Sequence, residues 1–473
     1  MKASTIAERE ASGRAAREHA RRSSHRAIGP LHRNPVDLLR QSSDGRVEHL
    51  VPLRYGRMTV SPFTFFRGSA ILQAHDLSLT PHTTLTLPIC GDAHLLNFGG
   101  FATPERQLIF DLNDFDEVSS APFEWDLKRL AASFVVAARH MRFSRGAAHD
   151  LVMTAVNQYR DRIAQYAECG ALELWYERIT FDRMVDTAVN AENRRLIRRA
   201  MEKAAARTHE SMLEKLAERD GDRYVMRDMP PGLFHVHGSS TLFDREDDWF
   251  RIGDWKSLIH ETFQDYLKTL NEDRRELLGQ FALHDLVFKV VGVGSVGTRC
   301  LVLLMADPHG KPLFLQIKEA RRSVIAQHFK AGPRKSEPKH EGERVVLGQR
   351  LLQAASDIFL GWSTGPSGRH FYVRQLRDMK LTPSIELLDV EQLNGYARLC
   401  GWALARAHAK AGGKAIEISA YIGRSDQFAE ALAEYASAYA DQVERDYDAF
   451  MKACRSGDLE ARTDEDMAAD FRI

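Results

Sequence analysis

Cysteine is scarce in this sequence: Cys90, Cys169, Cys300, Cys400 and Cys454 are odd in number, far apart and without CxxC spacing. That pattern argues against a disulfide framework or a thiolate zinc site and for reduced thiols in a cytoplasm. Long apolar runs are also missing. Nothing approaches the roughly 18 residues of a membrane span, and the N-terminus has no apolar signal core. The expectation is a soluble cytoplasmic protein with no membrane partner. Charge of one sign is not in excess either, since Lys plus Arg and Asp plus Glu each number 65. Bulk electrostatic capture of nucleic acid is therefore not expected as the main activity. There is no internal repeat, no low-complexity block and no long linker, and oligomeric state is left open.

What is present is enough apolar residue for two or three lobes in 473 residues. Residues 1–34, rich in Arg, Ala and Ser, read as a mobile or peripherally docked basic arm. In LVPLRYGRMTVSPFTFFRGSAILQAHDL, Pro62 and the spacing of Phe65, Phe66, Ala70 and Leu77 suit a helix beneath a functional loop. Arg54, Arg57 and Arg67 lie nearby and are either phosphate ligands or ordinary surface or carboxylate-paired arginines. Leu127, Leu130, Ala131, Phe134, Val135 and Ala138 fall on one face of a core helix. A solvent-facing helical region is expected from about 145 to 220, stopping at Gly221, with another helix over 257–280. His235 and His237, two apart on a strand, form at most a weak candidate metal pair.

The acids concentrate in Cys90–Asp126, CGDAHLLNFGGFATPERQLIFDLNDFDEVSSAPFEWD. Asp92 and Asn97 stand on a loop, and Asp111, Asp114 and Asp116 follow a short strand. Hard oxygen groups so spaced suit Mg²⁺, which takes one or two protein ligands plus phosphate and water. A separate carboxylate can then accept a proton from an attacking hydroxyl.

From about 284 the texture turns to strands around Gly292, Gly294 and Gly297, a G-x-G-x-x-G. In a dinucleotide fold the third glycine opens a helix. Here TRCLVLLM continues as a strand, which sets the loop at a hairpin tip, the arrangement that covers phosphates in protein kinases. Bare backbone N–H groups approach phosphate there, and Ser295 adds a hydroxyl. Lys318, in LFLQIKEA on the next strand, needs a partner or a phosphate, because an unpaired buried ammonium is costly. Glu341 and Glu343 open the following helix, and Glu343 is the preferred partner.

GDAHLLN resembles the HGDxxxxN catalytic loop of aminoglycoside phosphotransferases and other kinase-like small-molecule kinases, with Cys90 in place of the motif's histidine. The resemblance implies Asp92 as base and Asn97 as metal ligand. LNDFDE resembles the metal-binding segment, with Asp114 as ligand and Asp111 as an alternative. Asp126 resembles the aspartate that braces the loop, and LARAHAKAG at 404–412 resembles the helix leading into it. Those catalytic elements come first in this chain, so the resemblance implies a circularly permuted, protein-kinase-like α+β fold of two lobes. Its parts are the arm 1–34, a mostly helical large lobe over 35–283, a small antiparallel-sheet lobe over 284–380, and a helical return over 381–473.

LVPLRYGRM, FFRG, CGDAHLLNFG, FDLNDFDE, FEWDLKRLAAS, VGVGSVGTRC and GQRLLQAASD also resemble the bacterial domain-of-unknown-function family 2252 along most of the chain. Together the resemblances imply an ATP- and Mg²⁺-dependent phosphotransferase acting on an unidentified small-molecule hydroxyl. Lys318 would meet the α/β-phosphates, residues 292–297 would cover the nucleotide, and Gln375 would lie near the adenine hinge. Nucleotidyl (AMP) transfer, or nucleotide binding without turnover, would use the same parts.

Overall fold

The computed structural model describes residues 4–186, 190–236, 255–330, 338–376 and 379–471. It is an α+β protein in which helices dominate and the largest sheet is antiparallel. The helical part is built around Glu124–His140. Its first fifteen residues, Glu124 to Ala138, are all buried, so the helix is enclosed on every side and not only along the apolar stripe its spacing predicts. Arg145–Glu168, Val390–Gly412, Ala415–Ile422 and Gln427–Arg455 enclose this region, with small residues at close approaches. A Cβ on Gly401 would meet the Ala155 carbonyl oxygen at 2.2 Å.

The arm is docked. Helix Ile6–His19 lies on Ala415–Ile422, where Arg9 pairs with Glu417 at 2.7 Å and Arg17 donates to the Tyr421 carbonyl at 2.9 Å. Val51–Met58 precedes the stretch expected as one helix from Pro62, which is two, Pro62–Gly68 and Ala70–Ser78. Ser61 caps Pro62–Gly68 in a capping box with Thr64, and Ser69 breaks it from Ala70–Ser78.

Two small antiparallel pairs carry the acidic stretch. Strand β1 (Thr86–Ile89) reaches forward past β2 (Phe98–Ala102) and β3 (Leu108–Leu112) to pair with β4 (Ser119–Pro122), and β2 pairs with β3. Gly221 does not end a helix. It turns a hairpin between β5 (Ala217–Asp220) and β6 (Arg223–Met226), with φ +58°, a conformation that glycine adopts without strain.

The six-stranded sheet has the order β11-β12-β10-β9-β8-β7, with β7 (Leu233–Phe234), β8 (Ala282–Lys289), β9 (Cys300–Ala306), β10 (Pro312–Glu319), β11 (Gly361–Thr364) and β12 (His370–Gln375). Helix Glu341–Leu352 enters between β10 and β11 in sequence. The core on one face of the sheet also takes Leu50, Leu53, Tyr266, Met467 and Phe471, all from outside the 284–380 span. No helix among the described residues is long and apolar enough to cross a membrane. The ring nitrogens of His235 lie 2.9 Å from Asp228 and 3.0 Å from Asp285, so its ring is held by carboxylates; His237 lies outside the described residues.

Candidate functional site

The loop after β1 turns on Gly91, whose φ is +83° and where a Cβ would meet the Glu117 carbonyl oxygen at 2.2 Å. Asp126, at the start of the central helix, accepts the N–H groups of Cys90 at 2.7 Å and Gly91 at 2.9 Å. His408 lies 3.1 Å from the same carboxylate. Asp126 therefore braces the loop. Cys90 is buried and its thiol donates to the Asp114 carbonyl at 3.1 Å, tying the two acidic segments together.

On that frame, Arg129 donates to Asp92 Oδ1 at 2.7 Å. Asn97 donates through Nδ2 to the Asp92 carbonyl at 2.5 Å, leaving its amide oxygen as a ligand atom. Asp114 Oδ1 is buried and has no hydrogen-bond partner among the described residues. Asp111 does not belong with this group. It is wholly buried, accepting Arg406 at 2.7 Å, the Leu112 N–H at 2.9 Å and the Ala354 N–H at 2.8 Å, so it is a structural acid and not the alternative metal ligand.

Across the cleft, Lys318 on β10 lies opposite Cys300 and Tyr372 in the sheet register. Its ammonium is 3.6 Å from Asp114 and is paired with Asp116. Asp116 also accepts the Tyr372 hydroxyl at 2.8 Å and the Ser295 hydroxyl at 3.4 Å. Burial works against both charges in the pair. Even so, Lys318, with Arg374 and Lys380, holds the Asp114 carboxyl at about 2, while Asp114 and Asp116 push Lys318 above the usual lysine range. Glu343 is not the partner of Lys318. It is the third residue of its helix, its N–H capped by the His340 ring at 3.2 Å, and the lysine's charge is met by aspartates of the acidic stretch.

Gly292, Gly294 and Ser295 line the cleft, but Gly297 does not. Its carbonyl accepts the Val47 N–H at 2.8 Å and its α-carbon faces Arg46. Arg57 and Arg46 donate to the carbonyls of Gly292 at 2.7 Å and Val296 at 2.6 Å, so the glycine loop is held down on the N-terminal helices. Arg57 is also ion-paired to Asp464. Gln375 lines the cleft, with its main-chain N–H donated to Asp357 at 2.5 Å and its side chain 2.7 Å from His209.

The cleft has a volume of about 350 Å³ and takes Asp92, Asn97 and Asp114 from one side and Gly292, Ser295 and Lys318 from the other. Lys289, Arg374 and Lys380 also line it. Nothing in the spacing of these cations marks them in the sequence. A second cavity of about 110 Å³ adjoins the first and shares Arg67, Asp92, Asn97, Asp114, Gly294 and Ser295 with it. Among the described residues, no three His, Cys, Asp or Glu side chains form a metal-binding group. Asn97 and Asp114 nevertheless fit Mg²⁺, which needs few protein oxygens when a phosphate supplies others.

Fold and site together define an α+β protein in which an acidic loop on a helical core faces a glycine hairpin and a strand lysine. The chain belongs to the bacterial domain-of-unknown-function family 2252, described as uncharacterized proteins conserved in bacteria, whose family model matches residues 46–453. No curated protein and no solved structure matches it significantly.

Proposed function

We propose that this chain is an ATP- and Mg²⁺-dependent phosphotransferase with a kinase-like two-lobe fold in circularly permuted order. The observation that carries the reading is the single cleft lined by both separated halves of the site, with Lys318 3.6 Å from Asp114. Chain order does not matter to such chemistry, which depends on geometry. Three further features support it. Lys318 is on the third strand of the β8-β9-β10 run that carries the glycine loop, the position of the kinase strand lysine. Val390–Gly412 ends against β1, where a Cβ on Gly412 would meet Leu87 at 2.8 Å, so this helix leads spatially into the Asp92 loop. The cleft's excess of lysine and arginine suits a polyphosphate.

In this reading Asp92, held by Arg129, orients the acceptor hydroxyl and takes its proton. Asn97 and Asp114 would hold Mg²⁺, which neutralises charge on the transferring phosphate. Lys318 meets the α/β-phosphates once it exchanges its aspartate partners for them. The backbone at Gly292–Ser295 covers the nucleotide.

The test is a thermal-shift screen of nucleotides with and without Mg²⁺, followed by mass spectrometry of metabolite products. A gain of phosphate on an acceptor, abolished by Asp92→Ala, is expected. A gain of AMP, or turnover unchanged in Asp92→Ala, overturns the assignment.

A further inference from the structure

The second cavity holds an imbalance that the phosphotransfer reading does not use. Arg46, Arg54, Arg67, Arg321 and Arg322 all line it, and none has a carboxylate partner among the described residues. Three of them gather on the turn at Ser42–Asp44. Arg46 donates to the Ser42 carbonyl at 2.9 Å, Arg321 donates to the same carbonyl at 3.1 Å and to that of Asp44, and Arg54 donates to the Ser42 and Ser43 hydroxyls at 2.8 and 2.7 Å. Every one of those acceptors is neutral. Arg54 is 1% exposed, and its Nε has no partner among the described residues. Arg67 Nε is likewise buried without one.

The acids on this cavity are already engaged. Glu319 accepts from Arg299 at 3.2 Å and Arg369 at 3.0 Å, Asp92 from Arg129, and Asp114 and Asp116 from Lys318. Glu117 accepts the Val324 N–H at 2.6 Å, and burial raises its carboxyl to about 7, leaving it a poor counterion. Burying guanidinium groups without an anion is costly, and the planar fork of arginine fits oxyanions in particular. The missing partner is an anion.

We infer that this arginine-lined cavity is the acceptor pocket, and that the acceptor is a small alcohol already carrying a phosphate group. The inference rests on the phosphotransfer reading for the word acceptor. The cavity meets the nucleotide cleft at Asp92 and Asp114, so a phosphate anchored among the arginines sets the hydroxyl of the same molecule towards the shared boundary. The hydroxyl oxygen bonds the γ-phosphorus of the co-substrate ATP as the bond to the β–γ bridging oxygen breaks. ADP leaves with that electron pair, and the hydroxyl proton passes to Asp92. Several arginines around one small cavity suit a dianion better than a single carboxylate.

The experiment titrates inorganic phosphate, by calorimetry, into the full chain saturated with Mg²⁺ and a non-hydrolysable ATP analogue. Phosphate is expected to bind with the analogue in place. The Arg321→Gln/Arg322→Gln double variant should weaken phosphate tenfold or more, as charge-assisted hydrogen bonds are lost, and change analogue affinity less than about twofold. Arg54→Gln should do the same where it folds; the double variant, on a partly exposed segment, keeps the test open if it does not. Phosphate that fails to bind, binds only to the analogue-free chain, or ignores the double variant overturns the pocket. Succinate binding more tightly than phosphate overturns the choice of phosphate over carboxylate. A wild-type chain that binds no analogue overturns the phosphotransfer reading and with it the acceptor assignment, an outcome the phosphate titration reports separately.

Discussion

Two sets of aspartates share one stretch of chain and have opposite fates. Asp111 and Asp126 are fully buried, and each is fixed by backbone N–H groups and by a buried cation or imidazole of the Val390–Gly412 helix, Arg406 or His408. Asp92, Asp114 and Asp116 line the cavities, with counter-charges, Arg129 and Lys318, brought from other elements. The first set is saturated. The second keeps an unpartnered oxygen on Asp114 and an ammonium that a phosphate could claim. Identity of residue says little here; what distinguishes a structural acid from one open to a ligand is whether its hydrogen-bonding capacity is exhausted.

That contrast breaks most decisively at Arg406. Arg406→Leu strands Asp111 in the core and should cost about 3–5 kcal/mol in urea unfolding, whereas Asp114→Asn should cost no more than about 1 kcal/mol. Equal losses would erase the distinction. Next is the loop itself. Gly91→Ala, forced against the Glu117 carbonyl at a positive φ, should cost about 1–3 kcal/mol, and under the proposed phosphotransfer function ATP-analogue affinity should fall with it.

The open set is sharpened by titration. Asp114 has a folded-state value of about 2 against an ordinary 3.8, so the unfolded chain binds the proton more tightly. Its contribution to stability is full above about pH 4 and falls as pH drops through about 2. In Lys318→Met the carboxyl should move back up, read by carbon NMR of the labelled side chain; an unmoved resonance means the lysine is not its partner. His235 on the sheet side titrates in the opposite sense, raised by Asp285 and Asp228 from 6.5 to about 9. Its contribution is full below about pH 6.5 and fades as pH rises through about 9. His235→Asn should remove that contribution, lowering stability below about pH 6.5 and converging on the wild type above about pH 9.

The acidic loop, the glycine hairpin and Lys318 were legible because their chemistry sits in short runs: GDAHLLN, VGVGSVG and LFLQIKEA. The Leu127–Ala138 helix is legible from apolar spacing, and the α+β fold is what the kinase-like resemblance implies. What could not be read was the pairing of charges across the fold. Glu343 opens the next helix and is the partner local sequence suggests for Lys318, yet the aspartates reach the ammonium first. Asp111 sits three residues from Asp114, but its strand points it into the core beside Arg406. Gly221 marks a turn in either case; the β-hairpin it makes rather than a helix end depends on the cross-strand pairing of Glu218 with Val225 and Asp220 with Arg223. The cavity arginines are spread from Arg46 to Arg322, a separation no local pattern reveals.

The sealed acids carry a consequence for how the protein is made. Arg406 follows Asp111 by 295 residues, and His408 follows Asp126 by 282. Synthesis delivers the carboxylates long before their partners, and until Val390–Gly412 emerges the acids are best left in water. The helical half therefore cannot close in the order in which it is translated. A chain halted before residue 390 would hold the acidic loop on carboxylates met by backbone N–H groups but not yet by Arg406 or His408.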